Sequence, residues 1–130
     1  MAANTSPIFE LAVIDNGVTF TDADTTAKKS VVTGGSFGTR IDSLMCSSND
    51  TAAVNLAFYI NNGATDFYIG NVNVPIGSGY TTIARVEAMG TLSPTLGYLA
   101  VPSGYILKVN CVATMTTGKT LTIVAMGGDY

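Results

Sequence analysis

Apolar and polar positions alternate with a period of two over most of this chain, the signature of half-buried strands. The clearest run is Ile106 to Met115: Leu107, Val109, Cys111, Ala113 and Met115 share one face, with Lys108, Asn110 and Thr114 on the other. From Thr120 to Met126, Leu121, Ile123 and Ala125 alternate with Thr120, Thr122 and Val124. Thr116-Thr117-Gly118-Lys119 between the two runs predicts a turn, so Pro102 to Tyr130 reads as a β-hairpin. A lone hairpin is marginal in water, and its apolar face needs a second sheet to cover it.

The upstream chain supplies candidates. Residues 1–7 are small and polar and end in Pro7, which predicts an extended arm; residues 8–130 form a single domain. Ile8 to Ile14 is strand-like, and Asp15-Asn16-Gly17 predicts a turn into Val18-Thr19-Phe20. A polar loop from Thr21 to Thr26 leads to a strand from Lys28 to Thr33, broken by Gly34-Gly35-Ser36-Phe37-Gly38. Arg40 to Ser47 alternates imperfectly, which suggests a bulge. Thr51 to Ile60 and Phe67 to Val74 flank Asn61-Asn62-Gly63, a strong hairpin signal. Ile83, Val86 and Met89 recur every three residues, so residues 81–89 are the one helix candidate, with Gly90 as its cap. Tyr98 to Val101 is a short strand.

About eight short strands and at most one short helix predict an all-β, two-sheet antiparallel sandwich. The chain lacks the Cys-Trp-Cys framework of immunoglobulin domains, which favours a jelly-roll-like arrangement; a small barrel is the structural alternative.

Composition sharpens this picture. At 130 residues the chain is long enough to fold without staples, and 47% of it is hydrophobic, with a mean hydropathy of +0.37. No stretch approaches the length of a membrane-spanning helix, so no membrane partner is expected. Only 12% of residues are charged, and Thr, Ser and Asn supply the polarity; such a surface is cheap to desolvate against another protein. The net charge is −3, and Lys28, Lys29, Arg40, Arg85, Lys108 and Lys119 are scattered, which argues against nucleic acid. The first residues have neither a basic nor an apolar signal region, which predicts synthesis and retention in a cytoplasm. Cys46 and Cys111 lie in apolar runs with no histidine to complete a metal site, and read as buried free thiols.

Candidate chemistry is sparse. Ala113 to Thr120 ends like a phosphate-binding loop, but a β-branched run follows Lys119 where that loop needs a helix, so the segment reads as a turn. Asp22 and Asp24 could open a calcium loop, yet Ala27 and Thr33 stand where its glycine and glutamate belong. With no histidine and with scattered acids, an enzyme is not expected, nor a cofactor. Tyr59, Tyr68, Tyr80, Tyr98 and Tyr105 suit protein interfaces and sugar platforms equally.

Several segments are familiar as a set: Ala3-Asn4-Thr5-Ser6-Pro7-Ile8-Phe9, Thr51 to Leu56 with Asn61-Asn62-Gly63, Val74 to Gly79, Val101 to Tyr105, and Gly127-Gly128-Asp129-Tyr130. Together they resemble small virion proteins of tailed bacteriophages, notably capsid decoration (cement) proteins. The resemblance implies a jelly-roll-like sandwich that is made in the host bacterial cytoplasm and oligomerises on the capsid surface. There it would brace neighbouring subunits of the major capsid protein. Closed symmetry suits a capsid axis, so a homotrimer is expected, with a dimer next. The arm and its junction, Asn4, Thr5, Ser6, Pro7, Ile8 and Phe9, are the expected capsid or subunit contacts, since a flexible segment can order on a neighbour. The alternative is a tail or fibre component that contacts host glycan through a tyrosine-lined groove.

Overall fold

Strands form largely where the alternation puts them, and the hairpin expected across Asn61-Asn62-Gly63 forms, whereas the one expected at the end of the chain does not. The structure, a computed structural model, describes residues 12–130. The predicted arm and the first part of the strand predicted from Ile8 lie outside the described residues. The strands are β1 (Ala12–Thr21), β2 (Lys29–Thr33), β3 (Thr39–Ser48), β4 (Val54–Asn61), β5 (Asp66–Val74), β6 (Val86–Glu87), β7 (Leu99–Val101), β8 (Ile106–Cys111) and β9 (Thr120–Asp129). A single turn of helix, α1 (Met89–Leu92), follows β6.

All pairings are antiparallel and fall into two sheets. Sheet 1 runs β1-β9-β3 with β6 and β7 on the far side of β3, and sheet 2 runs β2-β8-β4-β5. Since β6 pairs with Met45–Cys46 and β7 with Thr39–Ile41 along the same edge of β3, the two act as one interrupted strand. Counted so, the pairs β1·β9, β2·β8, β3·β6/β7 and β4·β5 nest inside one another, like one long hairpin rolled into two layers. This is jelly-roll connectivity.

The core lies between the layers. Sheet 1 contributes Phe20, Ile41, Leu44, Leu121 and Ile123, and sheet 2 contributes Val32, Leu56, Phe58, Val72, Leu107 and Val109, all essentially inaccessible to solvent. Each large side chain so buried stabilises the fold by about 2 kcal/mol. The imperfect alternation in β3 has its cause in a bulge: Ile41 opposes Gly127 and Ser43 opposes Met126, leaving Asp42 unpaired. The extra residue lets Ile41 and Leu44, three apart, both point inward. It also draws the backbones together, because a Cβ on Gly127 would stand 1.9 Å from the Arg40 carbonyl oxygen.

Three local expectations are corrected. The terminal hairpin does not form: β8 lies in sheet 2 and β9 in sheet 1, joined by a crossing from residue 112 to 119. Alternation reports which face is buried, and both strands bury theirs in the same core from opposite sides. The helix expected at residues 81–89 is displaced to Met89–Leu92. Val86 and Glu87 pair instead with Cys46 and Met45, since a lone turn of helix gains less than a free strand edge offers. Asp15-Asn16-Gly17 makes no turn, because β9 pairs with β1 without interruption from Ala12 to Thr21. Tertiary pairing overrides local turn preference there.

Candidate functional site

The connections gather at two ends of the sandwich. The upper end holds residues 22–28, 49–53, 75–85 and 112–119; the lower end holds 34–38, 62–65 and 102–105. The predicted contacts Asn4, Thr5, Ser6, Pro7, Ile8 and Phe9 lie outside the described residues. Ala12, the first described residue, pairs with Asp129 at the lower end.

At the upper end, the segment resembling a phosphate loop is a turn closed by the Lys119 N–H on the Thr116 carbonyl at 3.1 Å, and a strand follows it. The N–H groups of Thr116, Gly118, Lys119 and Thr120 are spent on protein acceptors. The buried Asp50 carboxylate accepts hydrogen bonds from Thr116 N–H at 3.0 Å, Thr116 Oγ1 at 2.6 Å and Ala52 N–H at 3.0 Å, tying the β3–β4 connection to the β8–β9 crossing. Burial alone would raise the Asp50 pKa, but these bonds outweigh it and hold the carboxyl below its ordinary value. A pocket of about 130 Å³ lies beside this tie, lined by Val54, Asn55, Val112 and Met115 among others.

Asp22 and Asp24 lie in a 3₁₀ turn. Asp24 accepts the Thr21 N–H at 2.8 Å and pairs with Lys29 at 3.0 Å, and these partners keep its carboxyl below the usual range. Asp22 accepts a long hydrogen bond from Gly118 N–H at 3.4 Å. Both carboxylates brace the turn, and among the described residues no group of three or more Cys, Asp or Glu converges as a metal site.

What the upper end does present is apolar surface on a stiff support. In the connection from β5 to β6, Ser78 N–H bonds the Pro75 carbonyl, Tyr80 and Thr81 N–H bond that of Gly77, and Gly79 N–H bonds that of Ile83. The fully buried Ser78 accepts Ser48 N–H at 2.9 Å through its carbonyl, fixing the loop to β3. On this scaffold Ile76, Tyr80 and Ile83 remain 49%, 57% and 40% exposed. The loop carries no charge from Pro75 to Ala84. Composition had pointed to a charge-poor surface; what the alternation could not show is that three large apolar side chains concentrate on one loop.

The outer face of sheet 1 is mixed in character: by register, Val13, Gly17, Val124, Met126 and Met45 share it with Thr19, Thr122, Ser43 and Ser47 and with the charged Asp15 and Arg40. Glu87 also reaches it, but its carboxylate is occupied by Ser43 Oγ at 2.6 Å and Leu44 N–H at 2.8 Å.

The tyrosines do not converge on one groove. Tyr59 and Tyr68 meet on the outer face of sheet 2 with ring centroids 5.8 Å apart. Lys28 lies over the Tyr59 ring at 4.0 Å and pairs with Asp66 at 2.7 Å. Tyr98 lies beneath Arg40, Tyr80 is on the upper loop, and Tyr105 packs against the core.

Cys46 and Cys111 are free and buried in opposite sheets. Burial pushes the Cys46 thiol up to about 12 and Cys111 up to about 11. A thiolate-specific reagent at about pH 8 is therefore expected to label neither cysteine in native protein, and both once urea unfolds it. Rapid native labelling, read by mass spectrometry, would contradict the packing described here.

Compared with protein-family models and with curated proteins, the chain matches none.

Proposed function

We propose that this protein is a structural virion protein of a tailed bacteriophage, made in the bacterial cytoplasm, that decorates the outer capsid surface and braces neighbouring major capsid subunits. The observation that carries the reading is the braced 75–83 loop, which holds Ile76, Tyr80 and Ile83 in solvent. A stiff loop loses little entropy on docking, and exposed aromatic and aliphatic anchors are the usual centres of protein contacts. The absence of charge from Pro75 to Ala84 and the resemblance of several segments to cement proteins support the same reading. On a symmetric shell, modest contacts repeated by an oligomer add up to firm retention.

The test mixes purified protein with capsids that lack it and follows co-sedimentation and negative-stain images. The full chain is expected to sediment with shells at a fixed ratio. Ile76→Ser with Tyr80→Ser, and separately a chain lacking residues 2–7, are expected to fold and to bind at least about tenfold more weakly. A full chain that ignores shells would overturn the proposal, while unimpaired binding by the truncated chain would remove the arm from it. The tail or fibre reading has one observation in its favour, the Tyr59–Tyr68 pair with Tyr68 60% exposed. Binding to host envelope glycans in place of shells would select it.

A further inference from the structure

The four edges of the two sheets are not treated alike. β2 is five residues long, starts on Lys29 and has a register shift between Ser30 and Val32. β5 pairs with β4 through a bulge and runs into Pro75. The edge made by β6 and β7 consists of two short pieces, interrupted by the segment that carries α1. Each of these is a familiar way to keep an edge from pairing with another chain. β1 is the least protected: its ten residues pair with β9 without a register shift, it contains no Pro, Lys or Arg, and only the Thr19 carbonyl near its end is capped, by Lys29 Nζ at 2.6 Å. Among the described residues its other side has no strand partner. It is also thinly covered, with Val13 90% exposed outward, Ile14 and Val18 only half-buried on the core side, and Asn16 exposed between them.

We propose that the free edge of β1 pairs antiparallel with β1 of a second copy, making one continuous sheet across a two-fold axis. The strand fits itself in one register. With Asn16 opposite Asn16 on the axis, Ile14 faces Val18 of the other copy on the core side, completing the burial each lacks alone. On the outer side Asp15 faces Gly17, so the one charge of the strand has no like charge directly opposite. Shifting the register to bring residue 15 onto the axis would oppose Asp15 with Asp15, and moving residue 17 there would set Asn16 against Val18. Two-fold pairing of this kind closes on itself and leaves no further β1 edge to propagate a filament. The inference stands apart from the capsid proposal, which requires no particular symmetry.

Sedimentation equilibrium of the full chain over a range of concentrations tests it, with Asn16→Asp as the probe. Asn16 is exposed, so the substitution is expected to leave the melting temperature of the monomer unchanged, yet it sets two carboxylates against each other on the axis. The parent chain is expected to be a dimer, and Asn16→Asp to raise the dimer dissociation constant at least about tenfold at neutral pH. Asn16→Cys is expected to give one covalent dimer with a short bis-maleimide linker. A parent chain that is monomeric or trimeric would overturn the inference, as would a dimer indifferent to Asn16→Asp. So would a monomer that dimerises only after residues 2–11 are removed, since this chain's own segment would then be the occupant. Shell binding of Asn16→Asp, measured in parallel, separates failure of the dimer from failure of the capsid reading.

Discussion

Gly127→Ala is expected to destabilise the protein by at least about 3 kcal/mol and to lower its melting temperature by roughly 10 °C or more. The added methyl would stand 1.9 Å from the Arg40 carbonyl oxygen and 3.0 Å from the Ile41 Cα, both of them backbone atoms. Neither can rotate away as a side-chain tip would. Relief requires β3 and β9 to separate at the bulge, next to the buried Ile41. Gly90→Ala is the matched control: nothing lies within 4 Å of its Cβ position, and the residue is inside α1. Alanine there is expected to be neutral or to stabilise by up to about 1 kcal/mol. Urea denaturation followed by circular dichroism reads both changes. Equal stability of the two variants would mean that β9 does not cross β3 in the register described.

Asp50→Ala is expected to cost about 3 kcal/mol, because one buried carboxylate serves three donors that the substitution leaves without an acceptor. Asp50→Asn keeps the volume but places an amide N–H₂ against donors, and is expected to recover less than half of the loss. The same residue gives the protein a pH dependence. The Asp50 carboxyl titrates lower in the folded protein than in the unfolded chain, whose value is about 3.9, so at a given acidic pH the unfolded state binds more protons. The stabilisation is therefore complete above about pH 5 and is lost as pH falls through the folded value. Asp24 and Asp66 are lowered in the same direction by their partners, Thr21 and Lys29 for the first, Lys28 and Asn61 for the second. Melting temperatures measured from about pH 7 to pH 2 are expected to fall most steeply below pH 4, and less steeply in Asp50→Asn. A parent curve that rises on acidification would contradict the assigned hydrogen bonds.

The sandwich was legible in the sequence because a strand's buried face depends on local alternation. Leu107, Val109, Cys111, Leu121, Ile123 and Ala125 all point where their spacing puts them. Pairing was less legible. Thr116 to Lys119 does turn, as its composition predicts, but whether a turn keeps the chain in one sheet or carries it to the other is decided by strands far away in sequence. Val112 to Met115 continues the alternation beyond the end of β8, and the buried Met115 imitates a strand position while sitting in a crossing. The helix was misplaced for a related reason: three apolar residues at a spacing of three cannot outweigh the pairing of Val86 and Glu87 with β3. The bulge in β3 was foreseeable, because no regular strand buries residues 41 and 44 together. Of the surface, low charge was visible in composition, whereas the exposure of Ile76, Tyr80 and Ile83 on a loop held to β3 through Ser78 was not.

Because β9 sits between β1 and β3, the middle of sheet 1 is among the final parts of the described chain to be synthesised. Until residue 129 has left the ribosome, β1 and β3 have no neighbour to join them, and Phe20, Ile41 and Leu44 face an unfinished layer. Sheet 2 contains the local β4–β5 pair and can begin earlier, but β1 must wait to close the longest loop in the fold. Sheet 1 therefore cannot be completed before its last strand is made, and a nascent chain stalled shortly before Thr120 would hold half a sandwich with its apolar side open.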